Sequence, residues 1–274
     1  MTSNNLFDAA AACLAQPDPA LKQVLTARTA AAWTAGQLVL DPAAAAPVLD
    51  HPGRPERPEL VPPRLLTQRK LTSPLGRAAL IHAVTHIEFN AINLAWDAVQ
   101  RFRGLPRAFY DDWVRVAREE GEHFGLMRGR LDELGHDYGD FPAHDGLWEM
   151  ARRTAHDPLV RMALVPRVLE ARGLDVTPGM IERLTAVGDT ETAACLEVIL
   201  REEVGHVAAG TRWFRFLCEE RGLDPLPTYF QLLETHMTGE VRGPFNLEAR
   251  RIAGFTPEEL ACLATLGGVE NRGG

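Results

Sequence analysis

Arg118-Glu119-Glu120-Gly121-Glu122-His123 and Arg201-Glu202-Glu203-Val204-Gly205-His206 both read R-E-E-x-x-H. Apolar residues flank each at helical spacing: Val114, Val116 and Phe124 around the first, Leu196, Ile199 and Val207 around the second. Residues three apart lie on one face of a helix. Each hexapeptide therefore aims one carboxylate (Glu120, Glu203) and one imidazole (His123, His206) toward the side its apolar neighbours mark as buried. An unpartnered buried carboxylate is expensive, so four such groups facing inward predict a shared cation.

The spacing places two more carboxylates. Glu88 sits within the apolar stripe Ile81, Val84, Ala91, Ile92 and Ala95, 32 residues before Glu120. The midpoint is the turn Gly104-Leu105-Pro106, so an antiparallel hairpin folded there brings Glu88 level with Glu120. Glu170 precedes Glu203 by 33 residues, in a segment that is apolar apart from Arg167. The two halves repeat one pattern, the second less regularly because Gly173 and Pro178 follow Glu170 closely. Four carboxylates and two imidazoles form an N/O donor set suited to two iron or manganese ions rather than zinc or copper.

The remaining composition narrows the class. A chain of 274 residues, 46% apolar and 24% charged, can bury a sizeable core. A net charge of −8 argues against a nucleic-acid surface. Cys13, Cys195, Cys218 and Cys262 form no C-x-x-C pair and read as reduced thiols of a cytoplasmic protein. Neither a signal peptide nor a membrane-spanning run is expected.

Helix signals cover nearly the whole chain, and no stretch alternates with period two, so the fold class is all-α. Asn5 caps a helix over Leu6–Ala15, and Asp18-Pro19 opens a second. Residues 1–50 make an N-terminal helical extension. Residues 51–72, rich in proline, make a connector that is extended or a flexible linker. The main body, 73–221, holds long helices near 74–103, 107–134 and 189–220. Between them a segment starts near Leu147, restarts at Asp157-Pro158, kinks at Pro166 and stops at Gly173. A short helix over Pro178–Val187 follows. Residues 222–274 form a helical tail, with helices near 227–237, 246–253 and 257–265 and a turn over Gly239–Pro244.

Glutamates on two helices and Glu-x-x-His on the other two are the arrangement of ferritin-like carboxylate bundles. The sequence resembles that superfamily over roughly 73–221. Within it, Arg118–His123, Phe141–Met150, Leu169–Pro178 and Arg201–Trp213 resemble a bacterial ferritin-like family named as a domain of unknown function. The resemblance implies a four-helix bundle with helical extensions at both ends. It implies that Glu120 and Glu203 bridge two metal ions, that Glu88 and Glu170 are terminal ligands, and that His123 and His206 each cap one ion. The first motif departs from a regular helix in carrying Gly121, which close helix packing would explain. The reaction class implied is oxidation or hydroxylation of a small organic substrate with O2, with an electron donor, no nucleic acid and no membrane. A homodimer is compatible with it. A tRNA-modifying hydroxylase is a narrower form, without support from the acidic balance. The alternatives are a ferroxidase or metal-storage protein, against which the N-terminal extension speaks, and a scaffold stabilised by metal.

Other residues have plainer readings. Glu119, Glu122 and Glu202 point away from the histidine faces. Arg118 and Arg201 form surface ion pairs. His82 and His86 are off the Glu88 face, as surface or supporting groups. His136, His144 and His156 cluster around the second loop, where a third metal site competes with the plainer role of capping and fixing the loop. Asp97 and Asp112 could accept the second N–H of a ligating histidine. Trp113 and Trp213 are core aromatics, Cys195 and Cys218 buried thiols, and Arg242–Asn246 a strap.

Overall fold

A computed structural model describes residues 4–237 and 241–266, and every regular element among them is helical. Two isolated bridges, Asn5 with Val39 and Leu60 with Ala143, are the β pairings recorded there. The helices are α1 (Leu6–Ala15), α2 (Pro19–Thr34), α3 (Pro74–Arg101), α4 (Arg107–Glu133), α5 (Gly146–Arg153), α6 (Pro158–Leu164), α7 (Ala171–Ala186), α8 (Thr190–Glu220), α9 (Pro225–His236), α10 (Leu247–Ile252) and α11 (Pro257–Leu266). No helix of the described residues is long and apolar enough to cross a membrane.

Short polar residues start these helices as their side chains dictate. Asn5 accepts from Phe7 N, Asp18 from Leu21 N, Ser73 from Gly76 N and Asp157 from Leu159 N. A proline in the first turn of α2, α3 and α6 loses only a donor that lacks a helical partner there. Gly104, with φ of 83°, makes the turn between α3 and α4.

One stretch departs from expectation. Gly173 does not end a helix and Pro178 does not begin one. A π-helical turn, Val165–Glu170, joins α6 to α7, and α7 runs unbroken through both residues. Ala171, Leu174 and Leu184 are completely buried along it. The turn Gly239–Pro244 lies partly outside the described residues.

The chain divides into two compact units, residues 1–152 with 183–195, and residues 153–182 with 196–274. In the first, α3 and α4 form a hairpin, with α1 packed on α3 and α2 on α4. Trp96 Nε1 donates to Thr26 Oγ1 at 2.9 Å and Gln23 Nε2 to the Gly121 carbonyl at 2.8 Å. A Cβ at Gly125 would collide with the Gln23 amide, so α2 sits close on the glycine face of α4. The proline-rich connector is ordered: Val61 N donates to the Ala143 carbonyl at 2.8 Å, and Ala143 N to that of Glu59 at 2.9 Å.

In the second unit, α9 carries the buried Tyr229 and Leu233. Tyr229 donates to the Arg167 carbonyl at 3.1 Å, holding the π-helical turn. Arg250 of α10 forms a two-pronged pair with Asp175 of α7, at 2.9 and 2.7 Å.

Candidate metal centre

The α3–α4 hairpin sets Phe89 against Phe124, ring centroids 5.7 Å apart. One residue earlier on each helix, Glu88 and His123 meet. His123 Nδ1 lies 3.6 Å from Glu88 Oε2 and donates to Glu120 Oε2 at 3.2 Å. All three side chains are buried, Glu120 and His123 completely. Glu88 Oε2 accepts no hydrogen bond. The triad comes from local rules: three-residue spacing puts Glu120 and His123 on one face of α4, and the turn at Gly104 brings Glu88 level with them.

Electrostatically the triad is unsettled without a cation. Burial, then the Glu120 charge, hold the Glu88 carboxyl well above its ordinary range. Burial draws His123 down, but its hydrogen bond to Glu120, the nearby Glu88 oxygen and the charges of both carboxyl groups outweigh this and lift it to about 11. A proton on His123 thus sits between two carboxylates. Donor atoms of the three residues lie within 4.8 Å of one another. Ligands about 2.1 Å from one ion stand about 3.0 Å apart when adjacent and about 4.2 Å when opposite. A small contraction would close the triad on an ion, and its N/O donors could hold a metal.

The second motif repeats the first within its own unit. His206, completely buried, places Nδ1 3.3 Å from Glu203 Oε1, against 3.2 Å in the first motif. Glu203 is 9% exposed. Glu170 closes the π-helical turn and is half-buried. Single π turns inside helices occur often at functional sites.

The other named residues fall as follows. Glu122 pairs with Arg118 at 2.5 Å and Glu119 with Arg115 at 2.8 Å, both away from the triad. Arg201 reaches Glu202 at 3.7 Å. Trp113 and Trp213 are core residues and Cys218 is buried, whereas Cys195, expected to be buried, is only half-buried. Asp97 is buried and accepts from Arg101 and Gln100, while Asp112 lies 3.8 Å from Arg115. His82 and His86 are not on the surface. His82 Nε2 accepts from Gly139 N at 2.9 Å, and His86 meets the Tyr138 hydroxyl and the His144 carbonyl at 2.9 and 3.1 Å. They anchor the 136–146 loop, and burial pushes both down to about 4. His144 accepts from Gly146 N at 3.1 Å and His136 faces Asp140 at 3.4 Å, as loop-fixing residues do.

Two buried cations were not foreseen. Lys22 of α2 donates to the Cys13 and Leu14 carbonyls and to Asn93 Oδ1, at 3.0, 2.8 and 2.7 Å. Arg167 is completely buried within the π-helical turn. The solitary Arg167 in an apolar run was a usable signal; Lys22 offered none.

No solved structure matches this chain. A protein of Haemophilus influenzae described as "Uncharacterized protein" is 49% identical over 213 residues, 75% of this chain and 74% of its own length. A family model matches residues 15–261, through both hexapeptides, Glu88 and Glu170. The chain therefore belongs to the family described as "Protein of unknown function (DUF455)".

Proposed function

We propose that the chain is a dinuclear metal carboxylate protein of ferritin-like design, built on α3, α4, the 158–186 segment and α8. The observation that carries the reading is the buried Glu88–Glu120–His123 triad, with His123 Nδ1 directed at both carboxylates. The matching Glu203–His206 pair supports a second half. On the repeat of the motif in sequence, Glu203 is assigned to one centre with the triad, with Glu120 and Glu203 as the bridging ligands, Glu88 and Glu170 as terminal ones, and His123 and His206 as caps for one ion each. Iron is the proposed metal, with manganese as the substitute.

Two bound irons would supply the electrons for reaction with O2, and a small organic substrate is the proposed acceptor of the oxidation. The chain's own residues prepare the place. Burial keeps bulk water from Glu88, Glu120 and His123. His123 would hold the ion through a neutral ring nitrogen, so binding would displace the proton it otherwise shares with Glu120.

Anaerobic loading with Fe(II), metal counting and then exposure to O2 test the reading. About two irons per chain support it, and consumption of O2 without mineral growth supports an oxidase or hydroxylase. Many irons per chain would instead assign ferroxidase and storage chemistry. No uptake would leave a scaffold. Glu120→Ala and Glu203→Ala should each abolish dinuclear loading, and Glu122→Ala should not. Equal metal content in all three removes the assignment.

A further inference from the structure

The second unit contains a cavity of about 330 Å³ bordered by the π-helical turn, α9 and the segment from Val241 to Arg250. Four arginines line it: Arg167, Arg172, Arg242 and Arg250. The rest of its wall is apolar, with Leu169, Met237, Val241 and Phe245. We propose that this cavity binds a small organic anion, a carboxylate or phosphate ester with an apolar body.

The charges at the cavity do not balance. Asp175 is held by both prongs of Arg250, at 2.9 and 2.7 Å. Arg172 stands 3.8 Å from the same carboxylate and donates instead to the neutral carbonyls of Arg242 and Pro244, at 3.1 and 3.3 Å. Glu259 is shared too: Arg167 reaches it at 2.5 Å and Arg215 at 3.4 Å. Among the described residues, these two carboxylates are shared by four guanidinium groups, those of Arg167, Arg172, Arg215 and Arg250. The surplus is positive in a chain whose net charge is −8.

Arg167 makes the case sharper. It is completely buried, and its Nε and Nη1 have no hydrogen-bond partner. Its guanidinium lies 4.0 Å from the ring centroid of Tyr229 and 4.6 Å from those of Phe214 and Phe255. Ring faces and one shared carboxylate hold the cation in place, yet they leave donors unused beside the cavity. Arg172, 45% exposed at the rim, can exchange its hydrogen bonds to two neutral carbonyls for bonds to an anionic ligand. Planar guanidinium forks match carboxylate and phosphate oxygens. The apolar wall accounts for the organic body, and it distinguishes this cavity from a site for a bare inorganic ion. The site uses none of the residues assigned to the metal centre, so it stands or falls separately.

The test uses the full chain labelled with [methyl-13C]methionine, whose Met237 resonance is assigned by Met237→Leu. Phenyl phosphate and benzoate are titrated to millimolar concentration, with benzyl alcohol as the uncharged control. Saturable shifts of the Met237 methyl with either anion, and not with the alcohol, are expected. The rim double variant Arg172→Gln/Arg242→Gln should keep the wild-type circular dichroism spectrum and weaken binding about tenfold or more. No Met237 shift with either anion, an equal shift with benzyl alcohol, or unchanged affinity in the folded double variant would overturn the proposal.

Discussion

Replacing Glu88 by glutamine should make the metal-free protein more stable and remove its response to metal. The sign follows from three competing terms. Ionised Glu88 and Glu120, with donor oxygens no more than 4.8 Å apart, would repel by at least about 3.5 kcal/mol at an effective dielectric of about 20. Protonated His123, 3.6 Å from Glu88, would attract by about 4.6 kcal/mol on the same basis. The attraction offsets much of the repulsion, and desolvation, the largest influence, then favours the protonated carboxyl. A carboxyl with an ordinary value of 4.5 that stays protonated at pH 7 lowers stability by at most about 3.4 kcal/mol. Glutamine keeps the shape and removes that loss. For a chain of this size each kcal/mol moves the melting midpoint by about 2–4 °C, so the gain is bounded at about 7–14 °C. The wild type should recover its deficit on loading, by about 2.7 kcal/mol at a metal concentration one hundred times Kd. Thermal melts of chelator-treated protein, with and without anaerobic Fe(II) or Mn(II), read both effects. If Glu88→Gln rises with metal as much as the wild type does, or melts below it without metal, the electrostatic account of the triad is wrong.

Three further outcomes follow from the same geometry. Because His123 holds its proton to about 11 without metal, Mn(II) binding at pH 7 should release about one proton or more per chain; calorimetry in buffers of different ionisation enthalpy measures this, and zero release would refute it. Lys22→Met strips the donor from three buried acceptors and should cost about 1–3 kcal/mol in urea unfolding. Burial also pushes Lys22 from 10.5 to about 7, so between those values the unfolded chain binds more protons. Wild-type stability should gain from this group as pH rises through that window, and the variant should lack that gain. Gly210→Ala would drive a Cβ into the ring of Pro166, at about 1–3 kcal/mol of overpacking; an unchanged unfolding midpoint would show that the π-helical turn yields easily.

What could be read from the sequence was what local rules control. Asn5, Asp18, Ser73 and Asp157 announced helix starts because a short polar side chain satisfies donors only a few residues on. The Glu120–His123 and Glu203–His206 pairs were legible for the same reason, since both partners share one helix face. Reading failed where burial outweighed a local preference. Gly173 and Pro178 argue for a break at about 1 and about 3 kcal/mol. Against them stand Ala171, Leu174 and Leu184, fully buried, with each leucine contributing about 1.5–3 kcal/mol, so α7 continues. The π-helical turn was invisible because its reason lies elsewhere in the chain: Gly210 makes room for Pro166, and Tyr229 holds the Arg167 carbonyl.

The same distinction separates the two sites. The Glu88–Glu120–His123 triad spans two adjacent helices joined by a short turn, so periodicity and a midpoint sufficed to bring its members together. The arginine cavity draws on residues from 167 to 250, and its shared carboxylates, Asp175 and Glu259, lie on different helices. No spacing rule connects such positions. A buried ionisable group is legible in a sequence when its partner lies on the same face of its own helix or directly across a hairpin. When the partner is distant, as for Lys22 and Arg167, only the lone charge in its apolar surroundings can show. Arg167 carried that mark and Lys22 did not, because α2 is too weakly patterned for a buried lysine to stand out.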